Sequence, residues 1–404
     1  MILHNKHTVP LSRRVKIGKI ELGDGLPVII QSMANTDTCN VSASIEQLKK
    51  IVDAGGQLVR FTAQGKKEVE ALRQIISKCP PPYDHVPISA DVHFSARVAF
   101  EAARVCHKVR INPGNFTEKK GGPVVYSDVE FAAGLNKSSQ ELRHLIGICR
   151  KYQAALRIGV NHGSLSSRIM SRYGDTPEGM VESAMEFLRV CSKEDFHNVV
   201  VSMKSSNTVL MVQAVRLLVK TMTGEGRYYP VHLGVTESGD GEEGRIKSAV
   251  GMAPLLMEGM GDTLRVSLTE PPENEIPTAK MLTRYFPKPG TLPYDPLNAL
   301  PWDPFHHSEQ QTIQVSGVGG KAPVAVISDP GDHSEPYPDI IAPEINKNPV
   351  FEQVTTATEP AQFAHYNTPK VLILEGADHT MVTVKSWLIR YYRAGGTLPV
   401  IFRK

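Results

Sequence analysis

The chain has 404 residues, 41% of them hydrophobic and 22% charged, with a formal net charge of +3. That is length for more than one domain, and a globular composition. No block of basic residues marks a nucleic-acid or membrane surface, no apolar run nears the roughly 18–20 residues of a spanning helix, and "MILHNKHTVPLSRRVKIG" has no signal-peptide core.

These features predict a cytoplasmic protein with neither nucleic-acid nor membrane partners. Its five cysteines, Cys39, Cys79, Cys106, Cys149 and Cys191, are scattered without a C-x-x-C pair. They read as reduced structural thiols, so no metal-ligand set is expected within this chain.

Residues 1–26 form an N-terminal extension. From 27 to 286 short β-branched runs alternate with amphipathic segments. The runs are "PVIIQSM" (27–33), "LVRFTA" (58–63), "VPISADVHF" (86–94), "KVRIN" (108–112), "LRIGVNHG" (156–163), "NVVVSMKSS" (198–206), "PVHLGVTE" (230–237) and "LRVSLTE" (264–270). They are apolar on both faces, as parallel strands covered by helices are. Between them, segments such as "SASIEQLKKIVDAG" and "SSQELRHLIGICRKYQ" carry helical spacing. Eight strand–helix pairs predict an α/β protein with a (β/α)8 TIM barrel; an open doubly wound sheet is the competitor. Six prolines in residues 287–304 read as a linker. Residues 305–404 carry a sparser pattern, "APVAVIS", "KVLILEG", a helix through "MVTVKSWLIRYYRAGG" and "LPVIFRK", predicted to be the incomplete start of a second α/β domain.

Five of the eight barrel runs place a cation near the strand end: Arg60, Arg110, Arg157, Lys204 and Arg265. In a barrel these ends converge on the active-site mouth. Like charges 4 Å apart repel by about 4 kcal/mol at an effective dielectric of ~20, so such a cluster needs counter-charge. The acids available at the mouth are mainly Asp91, Glu237 and Glu270. Guanidinium forks suit phosphate, which points to a multiply charged phosphate or diphosphate. Asn112, Asn161 and Ser267 lie beside the cations as neutral donors, although each could equally serve its own turn.

Three further signals carry less. "GDGEEG" (239–244) has dinucleotide-turn spacing, but its three acids would face a pyrophosphate, so it reads as a loop feeding a helix N-terminus. The stretch 113–137 is long for a barrel loop and reads as a lid or an insertion. His93, His162 and His232 sit near strand ends but out of register, and read as hydrogen-bonded histidines.

Taken together, "QSMANTDT", "ADVHF", "VRINPGN", "LRIGVNHGSL", "VSMKSS", "HLGVTE" and "LRVSLTEPP" resemble the 4-hydroxy-3-methylbut-2-enyl diphosphate synthase family over roughly residues 10–290. The resemblance implies an oxidoreductase of non-mevalonate isoprenoid (terpenoid) biosynthesis. It would open 2-C-methyl-D-erythritol 2,4-cyclodiphosphate reductively, with loss of water, using a 4Fe-4S cluster and electrons from ferredoxin or flavodoxin; a homodimer is possible. Arg60, Arg110, Arg157, Lys204 and Arg265 would clamp the phosphates, and Asn112, Asn161 and Ser267 would add hydrogen bonds. Asp91 and Glu237 would face the carbon skeleton as catalytic groups, Glu237 protonating the departing hydroxyl. The family's cluster ligands, three cysteines and a glutamate in a last domain, have no counterpart here. The chain is therefore similar to the N-terminal part of the three-domain form and is expected to bind substrate without reducing it. Competing readings are a dihydropteroate synthase-like pterin diphosphate transferase, suggested by "ANTDT", and a non-catalytic anion-binding module.

Overall fold

The computed structural model describes residues 11–92, 95–118 and 125–286, and further on residues 314, 320–321, 327–328, 340–341, 351–355, 371–375, 390–391 and 400–402. The chain divides into two compact units, residues 1–294 and 295–404.

The first unit opens with an antiparallel hairpin, β1 (Val15–Ile17) and β2 (Ile20–Leu22), within what the sequence shows only as an extension. Eight parallel strands follow: β3 (Ile29–Met33), β4 (Leu58–Ala63), β5 (Ile88–Val92), β6 (Lys108–Ile111), β7 (Ala155–Asn161), β8 (Val199–Lys204), β9 (His232–Leu233) and β10 (Thr263–Leu264). Their order is β8-β7-β6-β5-β4-β3-β10-β9, and a parallel bridge between Val201 and Val231 joins the two ends. The sheet is thus a closed (β/α)8 barrel, which decides against the open sheet.

Helices α1 (Val41–Ala54), α2 (Lys66–Lys78), α3 (Ala96–Ala103), α4 (Pro113–Phe116), α5 (Asp128–Tyr152), α6 (Ser167–Tyr173), α7 (Pro177–Lys193), α8 (Thr208–Gly224), α9 (Gly241–Met257) and α10 (Glu275–Tyr285) complete the unit. Local signals start most of them: Asn40, Ser95, Ser127, Thr176 and Asn207 cap helix N-termini with their side chains. The α5 helix begins ten residues before the predicted segment, because Ser127 and Glu130 form a reciprocal capping box. Half of the supposed loop at 113–137 is therefore helix, and residues 119–124 lie outside the described part. "GDGEEG" likewise leads into a helix: α9 begins at Gly241, with Glu242 and Glu243 in its first turn.

Two apolar zones hold the barrel. The larger lies between strands and helices, with Val59, Phe61, Val109, Ile158 and Val201 facing Leu48, Leu72, Leu145, Leu188 and Leu218. The smaller closes the barrel floor: Val15, Ile17 and Leu22 of the hairpin pack on Ile29, Leu58, Ala155 and Val200. Side chains alternate along a strand, so the residue two positions above each floor residue also points inward. Those residues are Gln31, Arg60, Arg157 and Ser202. The floor seals that polar interior from below.

In the second unit β11 (Ile327–Ser328) pairs in parallel with β12 (Ile340–Ile341), and β13 (Phe351–Thr355), β14 (Val371–Glu375) and β15 (Val400–Phe402) form a parallel sheet in that order. The strands β11, β14 and β15 fall within predicted runs; β12 and β13 carry too little apolar pattern to stand out. Most of the predicted helix at 381–396 lies outside the described residues.

Candidate active site

Arg60, Arg110, Arg157 and Lys204 converge inside the barrel and are at most 6% exposed. Arg60 and Arg157 sit mid-strand on β4 and β7, deeper than their sequence positions suggest. Lys108, at the start of β6, is fully buried and adds a cation that the sequence reading passes over. The sixth is Arg265, just beyond β10.

Among the described residues two carboxylates face this group. Asp91 on β5 takes Arg110 Nη1 on Oδ1 at 3.0 Å and has Arg60 Nε at 3.5 Å from Oδ2. Glu275, the first residue of α10, accepts Arg265 Nε and Nη2 at 3.0 and 2.7 Å, and Ser32 Oγ at 2.6 Å. Its charge was not anticipated, because it comes from a helix ten residues past its partner. Glu270, the acid expected at the mouth, instead binds Arg245 through both oxygens, at 2.7 and 2.8 Å.

The remaining charge is uncompensated. Arg157 Nε and Nη1 and Arg110 Nε are buried without a hydrogen-bond partner, as are Ser89 Oγ and Ser202 Oγ on the inward rows of β5 and β8. Burial and the neighbouring Arg60, Arg157, Arg265 and Arg110 push the Lys204 ammonium well below its ordinary range. Burial, then Arg157 and Arg60, does the same to Lys108. Arg60 is pushed down to about 10, chiefly by burial and against the pull of Asp91, and stays charged at neutral pH. Buried donors without acceptors cost about 1–3 kcal/mol each, more when charged. Their concentration in one place leaves donors that a negatively charged group could satisfy.

Two glycines make the crowding possible. A Cβ on Gly159 of β7 would lie 2.5 Å from Arg110 Nε and 3.3 Å from Arg157 Nη2. A Cβ on Gly234, just after β9, would lie 2.8 Å from Lys204 Nζ and 2.9 Å from the Arg265 carbonyl oxygen. Each missing side chain is the space a cation occupies.

The other predicted residues separate into two groups. Asn112 is engaged locally: its Oδ1 caps α4 through Gly114 N at 3.2 Å and its Nδ2 donates to Ser164 Oγ at 2.9 Å. Asn161 and Ser267 are half-buried, and neither side chain makes a hydrogen bond among the described residues. Glu237 is exposed at the mouth with φ +53°, a left-handed backbone that costs a non-glycine residue about 1–2 kcal/mol. Of the histidines, His162 pairs with Asp175 at 3.2 Å, His232 is fully buried on β9, and His93 lies outside the described residues.

The described residues do not fit an iron–sulfur cluster. No group of three among His, Cys, Asp and Glu is placed to hold a metal. Burial pushes the Cys106 and Cys149 thiols up to about 12 and Cys191 higher still, which disfavours the thiolate that ligation requires. No described helix is long and apolar enough to cross a membrane.

Residues 12–280 match the family model described as the GcpE TIM-barrel domain. The 4-hydroxy-3-methylbut-2-en-1-yl diphosphate synthase (flavodoxin) of Bacteroides thetaiotaomicron is 51% identical over 318 residues, 78% of this chain and 52% of that protein. The chloroplastic synthase (ferredoxin) of Arabidopsis thaliana is 47% identical over 283 residues, 70% of this chain and 38% of that protein. The chain spans about half the length of the curated bacterial relatives it matches. With a matching barrel and identity near one residue in two, this chain belongs to the 4-hydroxy-3-methylbut-2-en-1-yl diphosphate synthase family.

Proposed function

We propose that the barrel binds 2-C-methyl-D-erythritol 2,4-cyclodiphosphate and supports its reductive opening to the linear allylic diphosphate. The observation that carries this reading is the gathering of six basic side chains against two carboxylates, with guanidinium donors left over on Arg157 and Arg110. A cyclodiphosphate supplies acceptor oxygens and negative charge in one compact ligand. Arg157, Arg110 and Lys204 are the principal clamp. Arg60 and Arg265 are held in place by Asp91 and Glu275 and approach the phosphates from the side. Asn161 and Ser267, with uncommitted side chains, donate to the ligand, while Asn112 shapes the turn beneath it.

Asp91, with an oxygen on each of two arginines, orients the clamp more than it meets the carbon skeleton. Glu237 is the acid with access to the mouth, and its carboxyl is assigned to proton delivery at the departing hydroxyl. Opening consumes two electrons and releases water. A 4Fe-4S cluster, which the described residues do not hold, would supply those electrons, with flavodoxin or ferredoxin, for which the relatives are named, as the donor. This chain supplies the substrate chamber.

Calorimetry with the cyclodiphosphate and a pterin diphosphate tests the reading. The former binds, and Arg157→Ala abolishes binding. Preference for the pterin ligand, or native affinity in the variant, overturns it. Repeated turnover by the 404-residue chain with only a chemical reductant would contradict the separate location of the cluster.

A further inference from the structure

Beneath the arginines the barrel holds a buried polar group joining four strands. Gln31 on β3 donates from Nε2 to Thr263 Oγ1 on β10 at 2.6 Å and shares a 2.8 Å contact with His232 Nδ1 on β9. Its Oε1 accepts Lys108 Nζ from β6 at 3.4 Å. Gln31, Lys108, Thr263 and His232 are all at most 2% exposed.

This arrangement decides the histidine's tautomer. The structure turns the Gln31 amide oxygen to Lys108 and the amide nitrogen, which can only donate, to Thr263 and His232. His232 Nδ1 must then accept, and the ring's hydrogen resides on Nε2. That atom is buried and has no partner. The charged groups around the ring are Lys204, Arg157, Lys108 and Arg60, on β8, β7, β6 and β4. Burial disfavours a positive charge on the imidazole and all four neighbours repel one, so the ring stays neutral.

We propose that His232 is a neutral anion-facing donor at the base of the phosphate chamber, and that Gln31, braced by Lys108, is the positioning residue that holds its Nε2–H toward the ligand. A neutral N–H accepts no further charge and can reach the phosphate oxygen most deeply inserted, where another cation would not be tolerated. This inference rests on the reading of the chamber as a diphosphate site.

The test uses the 404-residue chain, 15N-labelled histidine and inorganic pyrophosphate as the probe. In the free protein, nitrogen shifts place the hydrogen of His232 on Nε2 and keep the ring neutral through the pH range in which an ordinary histidine gains its charge. Saturation with pyrophosphate moves Nε2 and leaves Nδ1 in place. His232→Gln, whose amide nitrogen reaches the Nε2 position, retains affinity within about threefold, whereas His232→Asn loses about tenfold. Gln31→Met, which keeps the bulk but cannot hold Nδ1, gives mixed tautomers and an intermediate loss. Hydrogen on Nδ1 in the free protein overturns the proposal, as does pyrophosphate binding that leaves Nε2 unmoved. Failure of pyrophosphate to bind overturns the anion chamber itself, and this role with it.

Discussion

Arg110 lies folded over Gly159 on the neighbouring strand. Its Nη2 donates to the Gly159 carbonyl at 2.8 Å, while the space a side chain at 159 would fill holds the guanidinium. The same contact pins the arginine and demands the glycine. Gly159→Ala is therefore expected to push Arg110 off both Asp91 and the carbonyl. Pyrophosphate affinity should fall by about tenfold or more, read by calorimetry, because a charge-assisted contact is misplaced. Gly234→Ala should do more harm, since the backbone oxygen of Arg265 also blocks the new methyl. Affinity within twofold of native for Gly159→Ala would remove the packing argument.

Glu275 is the counter-charge that lets Arg265 sit at the mouth. Its side chain is 1% exposed and also accepts Ser32 Oγ and Leu268 N. Removing one partner of a buried pair costs about 3–5 kcal/mol. Glu275→Ala should lower the urea midpoint accordingly, and saturating pyrophosphate should restore part of the loss by supplying the missing negative charge. A midpoint as insensitive to pyrophosphate as a floor variant such as Val200→Ala would place Arg265 outside the anion site.

Asn112 and Asn161 look alike in sequence, each following an arginine strand, yet they should behave oppositely. Asn112→Ala removes a helix cap and the bond to Ser164, so about 1 kcal/mol of stability is lost. Asn161→Ala should leave stability within about 0.5 kcal/mol and weaken anion binding several-fold. Paired unfolding and binding curves separate the two; identical behaviour would show that one role has been misassigned.

Glu237 is held at φ +53°, where glycine is at ease. Relief of that strain offsets the greater entropy glycine brings to the unfolded chain. Glu237→Gly is expected to keep the native unfolding midpoint within about 1 kcal/mol and to lose turnover when the complete enzyme is assembled. Glu237→Gln, with similar shape and no proton to give, should lose it too. Turnover retained in the glutamine variant would free Glu237 from proton delivery.

Asp262 offers a pH-dependent readout that needs no ligand. It accepts Ser12 Oγ and Val231 N, each at 2.7 Å, and burial pushes its carboxyl up to about 6 from the ordinary 3.8. The native state thus binds a proton more readily than the unfolded chain between about pH 4 and pH 6. The stability due to this group is greatest at the acid end, declines as pH rises through that window, and is constant above it. The span is about 2–3 kcal/mol. Native protein should therefore gain on Asp262→Asn as pH falls from about 7 to about 4.5, measured by urea midpoints. A difference between the two that does not vary with pH would contradict the raised carboxyl.

Much of this architecture is written locally. Short runs apolar on both faces and capped amphipathic segments specify the strands and helices, and the strand alternation that buries Val59 and Phe61 outward turns Arg60 inward. The five cations near the strand ends follow from strand position alone. Even the early start of α5 was present in the Ser127–Glu130 pair, a capping signal with no apolar stripe to draw attention to it.

Ring closure decided the rest. Only a closed barrel brings Gln31, Lys108, His232 and Thr263 together, because strand order and stagger set which inward residues meet, and neither is encoded in any short segment. The hairpin floor, the charge of Glu275 and the two seating glycines have the same origin. They are contacts across tens to hundreds of residues, where a side chain's meaning depends on its neighbour in space. The sequence by itself determined that cations would line the strands. The tertiary structure determined which of them meet a carboxylate and which keep buried donors without a partner.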